Sequence, residues 1–221
     1  MKIQFDDKIK SAAPGLRVVT IEADVDNPAT SDELWALLMR AAGDIHDVLE
    51  MPEINKRPGI RATREVYKAL GKEPNRYRPS CEALCRRIVK GMELYRIDTL
   101  VDVINLISIQ SGYSIGGFDL DKIDGEQLTL GVGMEGEPFE GIGRGPLNVA
   151  NMPVYRDNIG GIGTPTSDNE RTKLSLETTR LLMCINIYGE EMPVDDVIGL
   201  STSLIEKFAN ATNIKVNIYQ P

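Results

Sequence analysis

Histidine is almost missing from this chain. Its 221 residues include one, His46, together with one tryptophan and three cysteines. A single histidine and the lack of any G-x-S-x-G or Cys with an evident His and Asn leave no nucleophile motif. Cys81 and Cys85 share a helix face at i, i+4. A metal site would need further ligands, and only Cys184 and His46 are on offer, so the pair reads as small buried apolar groups. No metal and no other cofactor is expected. His46, between Ile45 and Asp47, reads as a solvated or core-edge side chain. An odd cysteine count in a chain this long argues against a disulfide framework and for a reducing, cytoplasmic setting. No window approaches 18 apolar residues, and MKIQFDDKIK has no apolar run of the signal-peptide kind, so neither a membrane partner nor export is expected.

Positive charge is scarce everywhere but in one place. The formal net charge is −8. From Lys56 to Arg96 there are 12 Lys and Arg against four Glu and no Asp, which is +8 and leaves −16 for the rest. Such asymmetry suggests an electropositive face on an acidic body, or a merely basic helix surface. Arg57, Arg61 and Arg64 fall at spacings of four and three and share one face if the helix there begins early enough. Arg76, Tyr77 and Arg78 follow in a Pro74–Pro79 loop, where arginine beside tyrosine suits phosphate contact with base stacking or simple anchoring of the loop. Arg86 and Arg87 extend the set. DNA is not an expected partner.

Apolar periodicity supplies the elements. Leu16 to Val25 reads as a strand. Ser31 caps a helix to about Leu49, with Asp32 and Glu33 in its first turn. A second helix runs from about Gly59 to Leu70 and closes at Gly71. Ser80 is read as the cap of a third helix, which stops at Gly91. Asp98 or Thr99 caps a fourth, LVDVINLISIQSG, apolar on most sides and therefore central. Asp102 and Asn105 lie one turn apart on it and must be hydrogen-bonded to neighbouring backbone or to a ligand. Ser114-Ile-Gly116-Gly117-Phe-Asp119 lets a backbone or ligand approach closely, or makes a tight strand turn.

From Gln127 the pattern changes to short strands divided by glycine. Gly131-Val-Gly-Met-Glu-Gly136 fits the G-x-G-x-x-G expression, but Pro138 forbids the helix that must follow and two glutamates sit where a pyrophosphate would. Val149 to Tyr155 is a strand leading to Asp157, and Gly160 to Asp168 a flexible hydroxyl-rich loop. Leu181 to Tyr188 is a buried strand, Val194 to Phe208 an amphipathic helix and Ile214 to Tyr219 a closing strand. Helices at both ends and strands in the middle predict an α+β fold in one domain spanning 1–221, with a core of about 56–190 on which 16–50 and 194–220 pack.

Pro74 to Gly91, Ile97 to Asp119 with its LVDVIN centre, and Thr172 to Asn186 with LSLETTRLLM resemble, in order, the B3/B4 domain of the phenylalanyl-tRNA synthetase beta chain. The chain looks like a free-standing relative. The resemblance implies an α+β fold with a large mixed sheet and a pocket that, in the synthetase, hydrolyses tRNA mischarged with tyrosine. By position the pocket would be framed by Asp98, Thr99, Asp102, Asn105, Gly116, Gly117, Asp157 and the Gly160–Thr166 loop with Gly161 and Thr164. Two departures stand out: Gly116 where the synthetase has histidine, and Lys173 where it has glutamate.

Two functions follow. The first is hydrolysis of mischarged aminoacyl-tRNA in trans, with Asp157 or Asp102 orienting water, Ser114 or Thr164 contacting the ester, and tRNA on the Arg57–Arg87 face. Without a nucleophile, such chemistry must rely on positioned water, backbone amides and carboxylates. The second is a non-catalytic module holding a free amino acid or RNA.

Overall fold

The computed structural model describes residues 1–221 as six α-helices and ten strands. Four strands build a fully antiparallel sheet in the order β10 (Thr212–Tyr219), β2 (Arg17–Asp24), β9 (Arg180–Ile187), β3 (Ser114–Asp119). Its two inner strands are buried on both faces, which is why VVTI and LLMCINI read as near-continuous apolar runs. Val19, Ile21, Met183 and Ile185 face the helices α2 (Asp32–Val48), α5 (Thr99–Ser111) and α6 (Val194–Ala209). Val18, Leu182, Cys184 and Phe118 face the other way, onto a second sheet.

That second sheet has the order β1 (Lys2–Phe5), β4 (Gln127–Val132), β7 (Pro153–Arg156), β8 (Gly161–Gly163), with β1 and β4 parallel and the rest antiparallel. Helices, sheet and sheet make three layers of an α+β fold, and the expected strand content is divided between two four-stranded sheets. A small hairpin, β5 (Glu140–Gly141) with β6 (Gly145–Pro146), stands apart. No helix is long and apolar enough to cross a membrane.

Local signals mostly hold. Ser31 accepts from Leu34 N–H, Asp98 from Val101 N–H, and Gly71 and Gly112 close their helices with positive φ. Lys2–Phe5 and α1 (Asp7–Ala12), elements outside the sequence expectations, form because Asp6 caps the helix and β1 pairs with distant β4. Three readings are corrected. The residues 161–163 are strand rather than flexible loop. Gly116 and Gly117 lie inside β3 at ordinary φ, so close approach rather than a turn explains them. Ser80 does not cap α4 (Ser80–Val89): Pro79 holds that position, and no side chain does the capping.

Candidate ligand cavity

A cavity of about 360 Å³ opens where α5 crosses β3, walled by the start of α4 and by the 168–174 segment. Its apolar wall includes Leu84, Val101, Ile104, Ile115 and Leu174. Its floor is Gly117, where a Cβ would lie 2.4 Å from Ile104 Cδ1 and 3.0 Å from Leu174 Cδ1. The polar groups in the wall are Ser80, Asp98, Asn105, Ser108, Asp168 and Lys173.

Several of these have spare bonding capacity. Asp98 spends Oδ1 on the N–H of Val101 in capping α5, and Oδ2 accepts nothing. Asn105 makes no side-chain hydrogen bond although it stands one helical turn from Asp102. Of the two outcomes open to that pair, Asp102 takes internal partners and Asn105 faces the cavity. Asp168 accepts one hydrogen bond, from Gly117 N–H at 3.0 Å. Desolvation outweighs that single donor and pushes its carboxyl up to about 7. Ser80 Oγ is unbonded, whereas Ser108 Oγ donates to Tyr113 O at 2.6 Å. Lys173 reaches the cavity but pairs with Glu170. An amphiphile with an ammonium or amide head suits such a wall.

Asp168, Ser80 and Ser108 were not among the sequence-derived candidates, whereas Lys173 stood out there as a departure from the synthetase pattern. Gly163 and Gly116 leave the space Asp168 occupies, since a Cβ there would lie 2.8 and 3.3 Å from its Oδ1. Only the stacking of the two sheets reveals this.

The other candidates are placed as follows. Asp157 is absent from the cavity wall and anchors a loop. Both its oxygens engage Arg171, at 2.8 and 2.9 Å, and it accepts from the N–H groups of Asp124, Ile159 and Gly160. Despite desolvation, these donors hold its pKa below the usual carboxylate value. Asp102, in the first turn of α5, is fully buried, with Oδ2 held by Thr30 Oγ1 at 2.5 Å and by Ile97 N–H, and Oδ1 unpartnered. Burial raises its pKa. Thr99 Oγ1 points to Ala29 O, and Ser114 Oγ accepts from Cys81 N–H. Thr164 Oγ1 organises its own turn through Thr166, Ser167 and Ser167 O. Gly161 makes room for Phe139.

The arginines do not form one face. Arg57 lies before α3 (Pro58–Ala69) and is nearly buried, donating to Glu191 at 2.7 Å and to Ile109 O at 2.9 Å. Arg64 is buried against Glu82 at 2.8 Å. These two hold helices together, which removes them from an RNA surface. Arg61 is exposed, with Glu65 3.8 Å away. Tyr77 anchors its loop in the Tyr67–Phe139 cluster under Lys72, with the Arg76 guanidinium 5.5 Å from the ring. Arg78, Arg86 and Arg87 border a separate small cleft on α4.

The three-layer α+β domain thus carries an apolar cavity whose wall holds polar groups with unspent bonding capacity. The chain belongs to the B3/4 domain family, whose model matches residues 62–203. It is also similar to the crystal structure of an N-terminal fragment of the phenylalanyl-tRNA synthetase beta-subunit from Pyrococcus horikoshii, at 11% identity with a TM-score of 0.46. The alignment covers 97% of this chain and 50% of that one, so this chain spans half the length of the fragment. Comparison with curated proteins gives no match.

Proposed function

We propose that this B3/4 domain takes the aminoacyl end of a charged tRNA into its cavity and releases a wrongly attached amino acid by hydrolysis in trans. What carries the reading is the set of uncommitted polar groups, Asp98 Oδ2, Asn105 and Asp168 Oδ1, on an otherwise apolar wall. The family resemblance in the sequence supports the substrate class.

In this reading Asp98 holds the α-ammonium, and the Asn105 amide polarises the ester carbonyl. Asp168, with its carboxyl near 7, is matched to general-base work at neutral pH. It takes a proton from the attacking water as the oxygen bonds to the carbonyl carbon. The ester C–O bond then breaks, and the ribose oxygen leaves with the proton. Lys173, at the position of a glutamate in the synthetase, is neutralised by Glu170 and so does not repel the ammonium.

Deacylation of a panel of mischarged tRNAs, run beside Asp168→Asn, tests this. Selective release that the variant loses is expected; no release from any member would sink hydrolysis. A second reading, a non-catalytic amino-acid or RNA module, is favoured by Gly116 and Lys173, which stand where the synthetase pattern has histidine and glutamate. It predicts thermal stabilisation by an amino acid or tRNA without release, about 2.7 kcal/mol at 100 times the dissociation constant.

A further inference from the structure

Glu82 is fully buried and draws three arginines: Arg64 at 2.8 Å, Arg86 at 2.8 Å and Arg78 at 4.0 Å. One carboxylate therefore offsets one of three positive charges. The excess appears on the exposed side of α4 as a cleft of about 200 Å³ bordered by Arg78, Arg86, Arg87, Lys90 and Met92, with no acidic side chain in its wall. The side chains of Arg78 and Lys90 make no hydrogen bonds. Arg87 spends Nε on Glu93 O and leaves both terminal nitrogens free. The cleft is smaller than the roughly 300–1,000 Å³ of pockets that enclose a whole ligand. It suits one anionic group on a longer molecule.

Beside it stands Tyr95, 68% exposed, with the Arg87 guanidinium 4.3 Å from its ring centre. Exposed tyrosine backed by arginine is a stacking platform for an unpaired base. The connection to the cavity is covalent. The segment after α4 begins with Met92 in the cleft, passes Tyr95 and ends with Ile97 and Asp98 in the cavity wall. Ser80 and Leu84 on α4 likewise line the cavity, while Ala83, Arg86 and Lys90 on the adjoining stripe line the cleft.

We infer that the α4 cleft is a phosphodiester subsite for a single-stranded RNA end, with the neighbouring base stacked on Tyr95 and the terminal residue directed toward the cavity. The direction rests on the proposed function; the subsite itself does not. Arg64 stays inside as the counter-ion of Glu82, and Arg86 bridges interior and cleft.

The probe is a short single-stranded RNA of sequence ACCA, followed by fluorescence anisotropy across a salt series. Lys90→Glu and Tyr95→Ala change exposed side chains, and their folding is checked by thermal melts. Tyr95→Ala should weaken binding about tenfold. Lys90→Glu should weaken it and lower the salt slope by about 0.7. Lys10→Ala, exposed on α1 and absent from the walls of both cleft and cavity, should bind this unacylated RNA as the parent does. Folded variants that bind the RNA unchanged, or a parent that binds none at low salt, would overturn the subsite. RNA binding that depends on Lys90 and Tyr95 without any deacylation would keep the subsite and remove only the hydrolytic reading.

Discussion

Glu82 and Asp168 are both carboxylates drawn out of water, and their surroundings are opposite. Around Glu82 lie two arginines at hydrogen-bond distance and a third at 4.0 Å. Around Asp168 there is one backbone amide. A buried charge met by guanidinium donors is stabilised, and removing it strands the cations it held. A carboxylate with one donor and an unbonded oxygen facing a cavity lacks compensation that a ligand can bring. The first arrangement builds the helical face; the second leaves a carboxylate oxygen available to a ligand in the proposed function.

The largest effect should come from breaking the satisfied member. Glu82→Ala leaves buried Arg64 without its counter-charge and should cost about 3–5 kcal/mol in urea unfolding. A loss under about 1 kcal/mol would mean the hub holds nothing. Asp157→Ala removes the Arg171 pair and three amide acceptances, and should cost about 2–3 kcal/mol at neutral pH. Its folded-state pKa is depressed, so this contribution is present above the unfolded carboxylate value and lost as pH falls through the folded one. Parent and variant stabilities should converge in acid.

Asp168 has the opposite sign. Its folded value of about 7 lies above the unfolded value near 3.9, so the native state holds a proton the unfolded chain has released. The stability of the parent relative to Asp168→Asn should therefore fall from about pH 4 to pH 7 and level off above. A flat difference would show that Asp168 is already solvated. The smallest effect belongs to Arg61→Ala, exposed beside Glu65, which should stay within about 0.5 kcal/mol of the parent.

What the sequence revealed follows from the range of the interactions involved. Helices α2, α3, α5 and α6 were legible because periodicity, Ser31, Asp98 and Gly71 act within a few residues. Asp98, Asn105 and Gly117 were legible as cavity residues through the family pattern around LVDVIN and the Gly-Gly pair. Asp168 was not, because its surroundings come from β3 of one sheet and β8 of the other, brought together by the packing of the two sheets. Asp157 looked equally reactive in sequence, and its commitment to Arg171 shows only in the fold. The arginines illustrate the same limit, since spacing places Arg57 and Arg64 on a helix without showing that Glu191 and Glu82 wait inside.

The antiparallel sheet that carries the cavity floor contains no hairpin. Residues of β2 pair with β9 and β10, and β3 pairs with β9, so every ladder joins distant parts of the chain. Loop closure must precede any reward from these pairings, which slows folding. During synthesis β3 has no partner until Arg180–Ile187 has left the ribosome, and α5, apolar on most sides, has no sheet to rest on. The site should therefore appear late and all at once, and a chain released before that strand is complete should be a client for chaperones.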